Sequence, residues 1–79
     1  MPEQKPDKKF DARGMQCPLP ILQAKKLIDK MVVNQILEVL SDDPGSKEDF
    51  VRWAKRTGNN LLEIKQEEGY YKFLIKKAT

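Results

Sequence analysis

Asp11-Ala12-Arg13-Gly14-Met15-Gln16-Cys17-Pro18-Leu19-Pro20 is the stretch in which the chain changes from a strand pattern to a helix pattern. Upstream, Lys9 to Ala12 reads as a short strand with Phe10 turned inward. Downstream, Ile21, Ala24, Leu27, Ile28 and Met31 follow the stripe of a helix packed on one side. Pro18 and Pro20 suit the first turn of that helix, where backbone N–H groups have no intrahelical partner to lose. The pattern predicts a helix from Pro18 to Met31, with Cys17 at or just before its N-cap. Gly14 supplies a backbone conformation that other residues resist, letting the chain swing Cys17 onto the helix end.

A thiol in that place lies against the positive pole of the helix dipole. This favours the thiolate, which is the nucleophilic form. Because Pro18 and Pro20 lack an N–H, Leu19 and Ile21 are the donors left in the first turn for an anion. The arrangement suits a thiolate, or the longer anion made by adding a second sulfur. The alternative for Cys17 is a small buried hydrophobe, as free cysteines often are. Gly14 before it and the prolines after it favour the reactive reading. Asp11 also has two readings: turn chemistry through backbone hydrogen bonds, which is the simpler, or a carboxylate near the thiol.

The 79 residues make one small domain, and a chain of that length buries only about 60% of its unfolded surface. Residues 1–8 are rich in proline and charge and are expected to be a disordered tail; 9–79 form the domain. The net charge of +3 permits contact with nucleic acid or an acidic partner without requiring either. One cysteine cannot form an internal disulfide. No apolar run approaches the roughly 18 residues of a membrane span, and the polar N-terminus lacks the apolar centre of a signal peptide. A reducing cytoplasm is the expected compartment. There is no histidine. The usual general base, the usual partner of a nucleophilic cysteine and the commonest metal ligand are therefore missing. No metal site is expected, and no glycine-rich phosphate loop is present.

Ile36 to Leu40 reads as a largely buried strand. Asp43 before Pro44 has the form of an N-cap followed by proline, and Ser46 with Asp49 offers a competing capping box. Either starts a helix running to Thr57, with Phe50, Trp53 and Ala54 as its inner stripe and Gly58 as its stop. Asp42 and Asp43 are explained better by capping than by metal binding. Leu61 to Glu67 and Tyr70 to Lys76 read as a hairpin turning at Glu68-Gly69. On the last strand Tyr71, Phe73 and Ile75 share one face, while Tyr70, Lys72, Leu74 and Lys76 share the other. The second face fits a half-buried sheet; aromatics beside cations also keep base stacking in view. Lys25, Lys26 and Lys30 fall off the apolar stripe of the first helix, as a solvated face or as a docking surface for an acidic partner.

The expected fold is α+β, in the order β-α-β-α-β-β. Two helices pack on one face of a four-stranded mixed sheet, forming a two-layer α/β sandwich.

Asp11-Ala-Arg-Gly14-Met-Gln-Cys17-Pro-Leu-Pro20 resembles the D-x-x-G-x-x-C-P-x-P signature of the TusA/SirA/YedF family of small sulfur-carrier proteins. The resemblance runs from Phe10 to the C-terminus. It includes the helix after the motif, the strand leading to Asp-Asp-Pro, the second helix and the closing hairpin. It implies a sheet order of 1-2-4-3. It also implies that Cys17 accepts sulfane sulfur as a transient persulfide from a donor protein and passes it to an acceptor protein, with no other cofactor. Implied donors are a cysteine desulfurase, a rhodanese or a DsrE-type carrier; the relay serves tRNA thiolation, cofactor synthesis or sulfur oxidation. Pro18, Leu19, Pro20 and Ile21 would support the thiolate, and Asp11, Arg13 and Gly14 would shape the loop. Lys25 and Lys26 are candidates for partner docking. Such a protein acts as a sulfurtransferase-type co-substrate more than as a stand-alone catalyst. A carrier needs neither its own base nor a second cysteine, so the composition is no obstacle. Some members of the tRNA branch have an acidic residue where this chain has Leu19, which leaves the partners open. A monomer is expected, without direct nucleic-acid or membrane binding. The competing reading is a nucleic-acid-binding or regulatory module of the same fold, and a weaker one is a redox sensor.

Overall fold

The computed structural model describes residues 5–16 and 19–78. Cys17 and Pro18 lie outside the described residues, as do residues 1–4 and Thr79. The elements run β1 (Lys8–Asp11), α1 (Leu19–Asp29), β2 (Ile36–Ser41), α2 (Ser46–Thr57), β3 (Asn60–Glu67) and β4 (Tyr70–Lys76). The sheet order is β1-β2-β4-β3, with β1 parallel to β2 and the other pairs antiparallel. This is the two-layer α+β arrangement that the pattern implies.

Alternation along the central strands decides which face the helices cover. Leu37, Val39, Phe73 and Ile75 point to one side and are fully buried there. Ala24 and Ile28 of α1 and Phe50, Trp53 and Ala54 of α2 close over them. Phe50 anchors α2: its ring stacks on Phe73 at 4.6 Å and meets the Trp53 ring edge-on at 6.0 Å. On the opposite face Leu74 is only 5% exposed, although Lys72 and Lys76 flank it along the strand. It lies in a cross-strand row between Glu38 and Glu63, and long polar side chains cover apolar surface with their stems.

Several boundaries differ from the sequence pattern. β1 begins one residue earlier, at Lys8, because Asp7 already pairs with Ile36: its N–H donates to the Ile36 carbonyl and its Oδ2 accepts the Ile36 N–H. α1 ends at Asp29 instead of Met31. The chain tightens there through Lys30 N–H to Leu27 O and Met31 N–H to Ile28 O, yet Met31 still enters the core. Lys77, at the end of β4, donates Nζ to the carbonyl of Met31 at 2.8 Å and to that of Asp29 at 3.4 Å, closing the C-terminal end of α1. α2 takes Gly45 as its N-cap and has no side-chain cap bond, so neither Asp43 nor Ser46 caps it. Asp43 instead closes the turn before the helix, its Oδ1 accepting the Gly45 N–H and its carbonyl accepting both the N–H and the hydroxyl of Ser46. α2 ends on Gly58 in the left-handed conformation, bonded to Ala54 O. Within β3 the register shifts between Leu61 and Glu63. That bulge lets Leu61 and Ile64, three apart, both pack on the core.

Candidate functional site

β1 and β2 are parallel neighbours, so the loops that follow them emerge side by side. Ala12 extends the pairing with an N–H to Leu40 O, and its carbonyl then accepts the Met15 N–H to close a turn. Gly14 is the third residue of that turn and has φ +91°. A Cβ there would meet nothing within 4 Å, so backbone conformation alone selects glycine. A second turn follows, in which Leu19 N–H donates to Gln16 O at 2.9 Å. Of the two first-turn donors left by the prolines, Leu19 is thus already engaged by a backbone carbonyl.

Two tethers hold the loop. Asp11 accepts the backbone N–H and the Nε of Arg13 on Oδ1, and Nη2 of Arg13 on Oδ2 at 2.8 Å. The guanidinium also lies over the Tyr70 ring of β4, 5.0 Å from its centre. The bonds to Arg13 hold the Asp11 carboxyl well below its ordinary value, at about 2. The second tether comes from β2: Gly14 N–H donates to both carboxylate oxygens of Asp42, at 3.1 Å each. Between the loops lies an open depression of about 590 Å³ lined by Gly14, Met15, Gln16, Asp42, Asp43 and Pro44.

The structure brings Asp11, Arg13 and Gly14 together, as the motif implies. Pro20 is buried and Ile21 packs at the edge of the core, whereas Leu19 is 47% exposed. Lys25 pairs with Asp29 one turn on, at 3.0 Å, and Lys26 is exposed beside it. Asp42 and Tyr70 are the residues that sequence reasoning missed. Asp42 was recoverable, since a parallel β1/β2 pair puts the ends of both strands together. Tyr70 was not, because its place above Arg13 depends on the sheet order.

The profile of the family described as Sulfurtransferase TusA matches residues 8–77. The chain belongs to the TusA family. It is 53% identical over 72 residues to the sulfur carrier protein TusA of Allochromatium vinosum, covering 91% of this chain and 95% of that one. It is 44% identical over 74 residues to the putative sulfur carrier protein YrkI of Bacillus subtilis, covering 94% and 99%. The crystal structure of a SirA-like protein from Desulfitobacterium hafniense has the same fold, with a TM-score of 0.78 at 24% identity, over 91% of this chain and 99% of that one. No helix among the described residues of this TusA-family chain is long and apolar enough to cross a membrane.

Proposed function

We propose that this TusA-family protein carries sulfane sulfur on Cys17 between a donor protein and an acceptor protein. The observation that carries the reading is the setting of the sole cysteine. It falls in a two-residue span between exposed Gln16 and exposed Leu19, directly after a loop tethered at Arg13 and Gly14. A relay cysteine needs access, a defined approach and no competing thiol.

In the loading step the Cys17 thiolate attacks the terminal sulfur of a donor persulfide. The donor's S–S bond breaks as a new S–S bond forms on Cys17, and the donor leaves as a thiolate. The oxidising equivalent travels with the sulfur, so no external oxidant is required. The second step repeats the exchange with an acceptor thiol as the attacking group. A second cysteine in the carrier would instead discharge the persulfide as a disulfide, and the sequence has none. The exposed beginning of α1, with Leu19, Leu22 and Lys26, suits transient docking beside the reacting sulfur.

The test is intact mass spectrometry after incubation with a cysteine desulfurase and cysteine. Wild type gains one sulfur atom, lost again on reduction, and Cys17→Ser gains none while keeping its fold. Failure to load from a desulfurase, a rhodanese and a DsrE-type donor, with Cys17 open to alkylation, would count decisively against the reading.

A further inference from the structure

We propose that Asp42 is a positioning residue for sulfur transfer, acting through Gly14 on the segment that leads into Cys17. The inference rests on the carrier reading for its functional consequence and on hydrogen-bond geometry for its mechanism. Gly14 N–H belongs to the third residue of a turn, a donor that the turn itself leaves without a partner. Asp42, 28 residues away, accepts it on both carboxylate oxygens. A carboxylate is a stronger acceptor than a neutral oxygen, and here the single N–H is shared between its two oxygens. The bond joins the ends of two neighbouring parallel strands, and only Met15 and Gln16 separate Gly14 from Cys17 in sequence.

The consequence is geometric. A carrier meets donor and acceptor in turn, and each exchange requires three sulfurs in line. Loss of orientation at the reacting atom slows the step without weakening the docked complex. Asp42 lines the same depression as Met15 and Gln16 but comes from the loop after β2. It therefore fixes the loop from outside the segment that must stay reachable. Asp11 cannot substitute, since its oxygens hold Arg13.

The experiment compares Asp42→Ala and Asp42→Asn in the full chain, with a cysteine desulfurase and cysteine as the sulfur source. Asparagine keeps an oxygen that can accept from Gly14; alanine does not. In Asp42→Ala the loading rate at saturating donor falls by about fivefold to tenfold, with the half-saturating concentration within about twofold of wild type. Asp42→Asn stays within about twofold of wild type. Exchange of the Gly14 amide with solvent quickens in the alanine variant alone. A folded Asp42→Ala that loads at the wild-type rate overturns the proposal. Equal slowing in both variants also overturns it, since charge and not the hydrogen bond would then be responsible. Should wild type accept no sulfur, the carrier reading fails separately. Alkylation of Cys17 by iodoacetamide at fixed pH then decides: a rate changed in alanine but not in asparagine upholds positioning, and an unchanged rate overturns it.

Discussion

Asp11 shows how much a single exposed carboxylate can organise when its partner lies two residues away. The backbone N–H and the fork of Arg13 converge on it, and they hold its pKa at about 2 against an ordinary 3.8. A carboxyl depressed on folding contributes stability above its unfolded pKa and loses it as pH falls through the folded one. The clamp is therefore expected to stay closed at pH 4; its contribution to stability fades as pH falls below 3.8, and the carboxyl itself takes up its proton and releases Arg13 around pH 2. An NMR titration of the Asp11 carboxyl checks this, with Arg13→Gln moving the midpoint up towards 3.8. A wild-type midpoint already at 3.8 would mean that the clamp does not form in solution. The motif loop was largely legible in the sequence because its contacts are local: Asp11 to Arg13, and Gly14 in its turn. Asp42 was harder. As half of an Asp-Asp-Pro stretch it reads as capping material, yet α2 is capped by Gly45 and Asp42 reaches across to Gly14 instead. The bond from Asp42 runs to a residue that becomes a neighbour only when β1 and β2 pair.

Among the elements, the ends of the helices separate what local pattern can reveal from what it cannot. Gly58 is a stop visible in the sequence, since a left-handed terminal residue favours glycine. The end of α1 has no such signal: the periodicity runs on to Met31, and the residue that closes the helix is Lys77, just past the last strand. Lys77→Met removes a cation from two C-terminal carbonyls and is expected to lower stability by about 1 kcal/mol, measured by chemical denaturation. No change would mean that water serves those carbonyls equally well. The bulge in β3 was hidden for a related reason. Alternation cannot put Leu61 and Ile64 on one face, so the hairpin could be recognised while its register could not. The inner stripe of α2, by contrast, was plain, and its centre is testable. Phe50→Ala empties one side of a ring stack and an edge contact at once, at an expected cost of about 3–5 kcal/mol. At roughly 0.05–0.15 kcal/mol per residue, 79 residues provide about 4–12 kcal/mol in total. Chemical denaturation of the variant beside wild type measures that cost, and a loss below about 1 kcal/mol would show that the core is not centred on this ring.

The distribution of charge over the two layers bears on the competing nucleic-acid reading. A net charge of +3 could form one basic face or be dispersed, and only the second leaves a phosphate backbone without a track. Lys25 and Lys26 lie on α1, which stands on one side of the sheet, and Lys30 follows directly after its end. Lys72 and Lys76 alternate with Phe73 and Ile75 and so face the other side. There they share the surface with acidic groups: Lys9 stands opposite Glu38, and Lys65 pairs with Glu67 at 3.7 Å. Lys25 is itself paired with Asp29. Lys65 also stands opposite Lys72, and α2 adds Lys47, Arg52, Lys55 and Arg56 to the helix side, with Arg52 paired to Glu48 and Asp49. On both faces the described cations are interspersed with carboxylates. We therefore expect binding of a single-stranded RNA oligomer to be too weak to measure at physiological salt. At low salt it should be weak, with a log–log salt slope of about −2 or shallower. Fluorescence anisotropy across a salt series checks this. A steep slope together with submicromolar affinity would identify a basic track that this arrangement of lysines does not provide, and Cys17→Ser would then separate nucleic-acid binding from sulfur transfer within one protein.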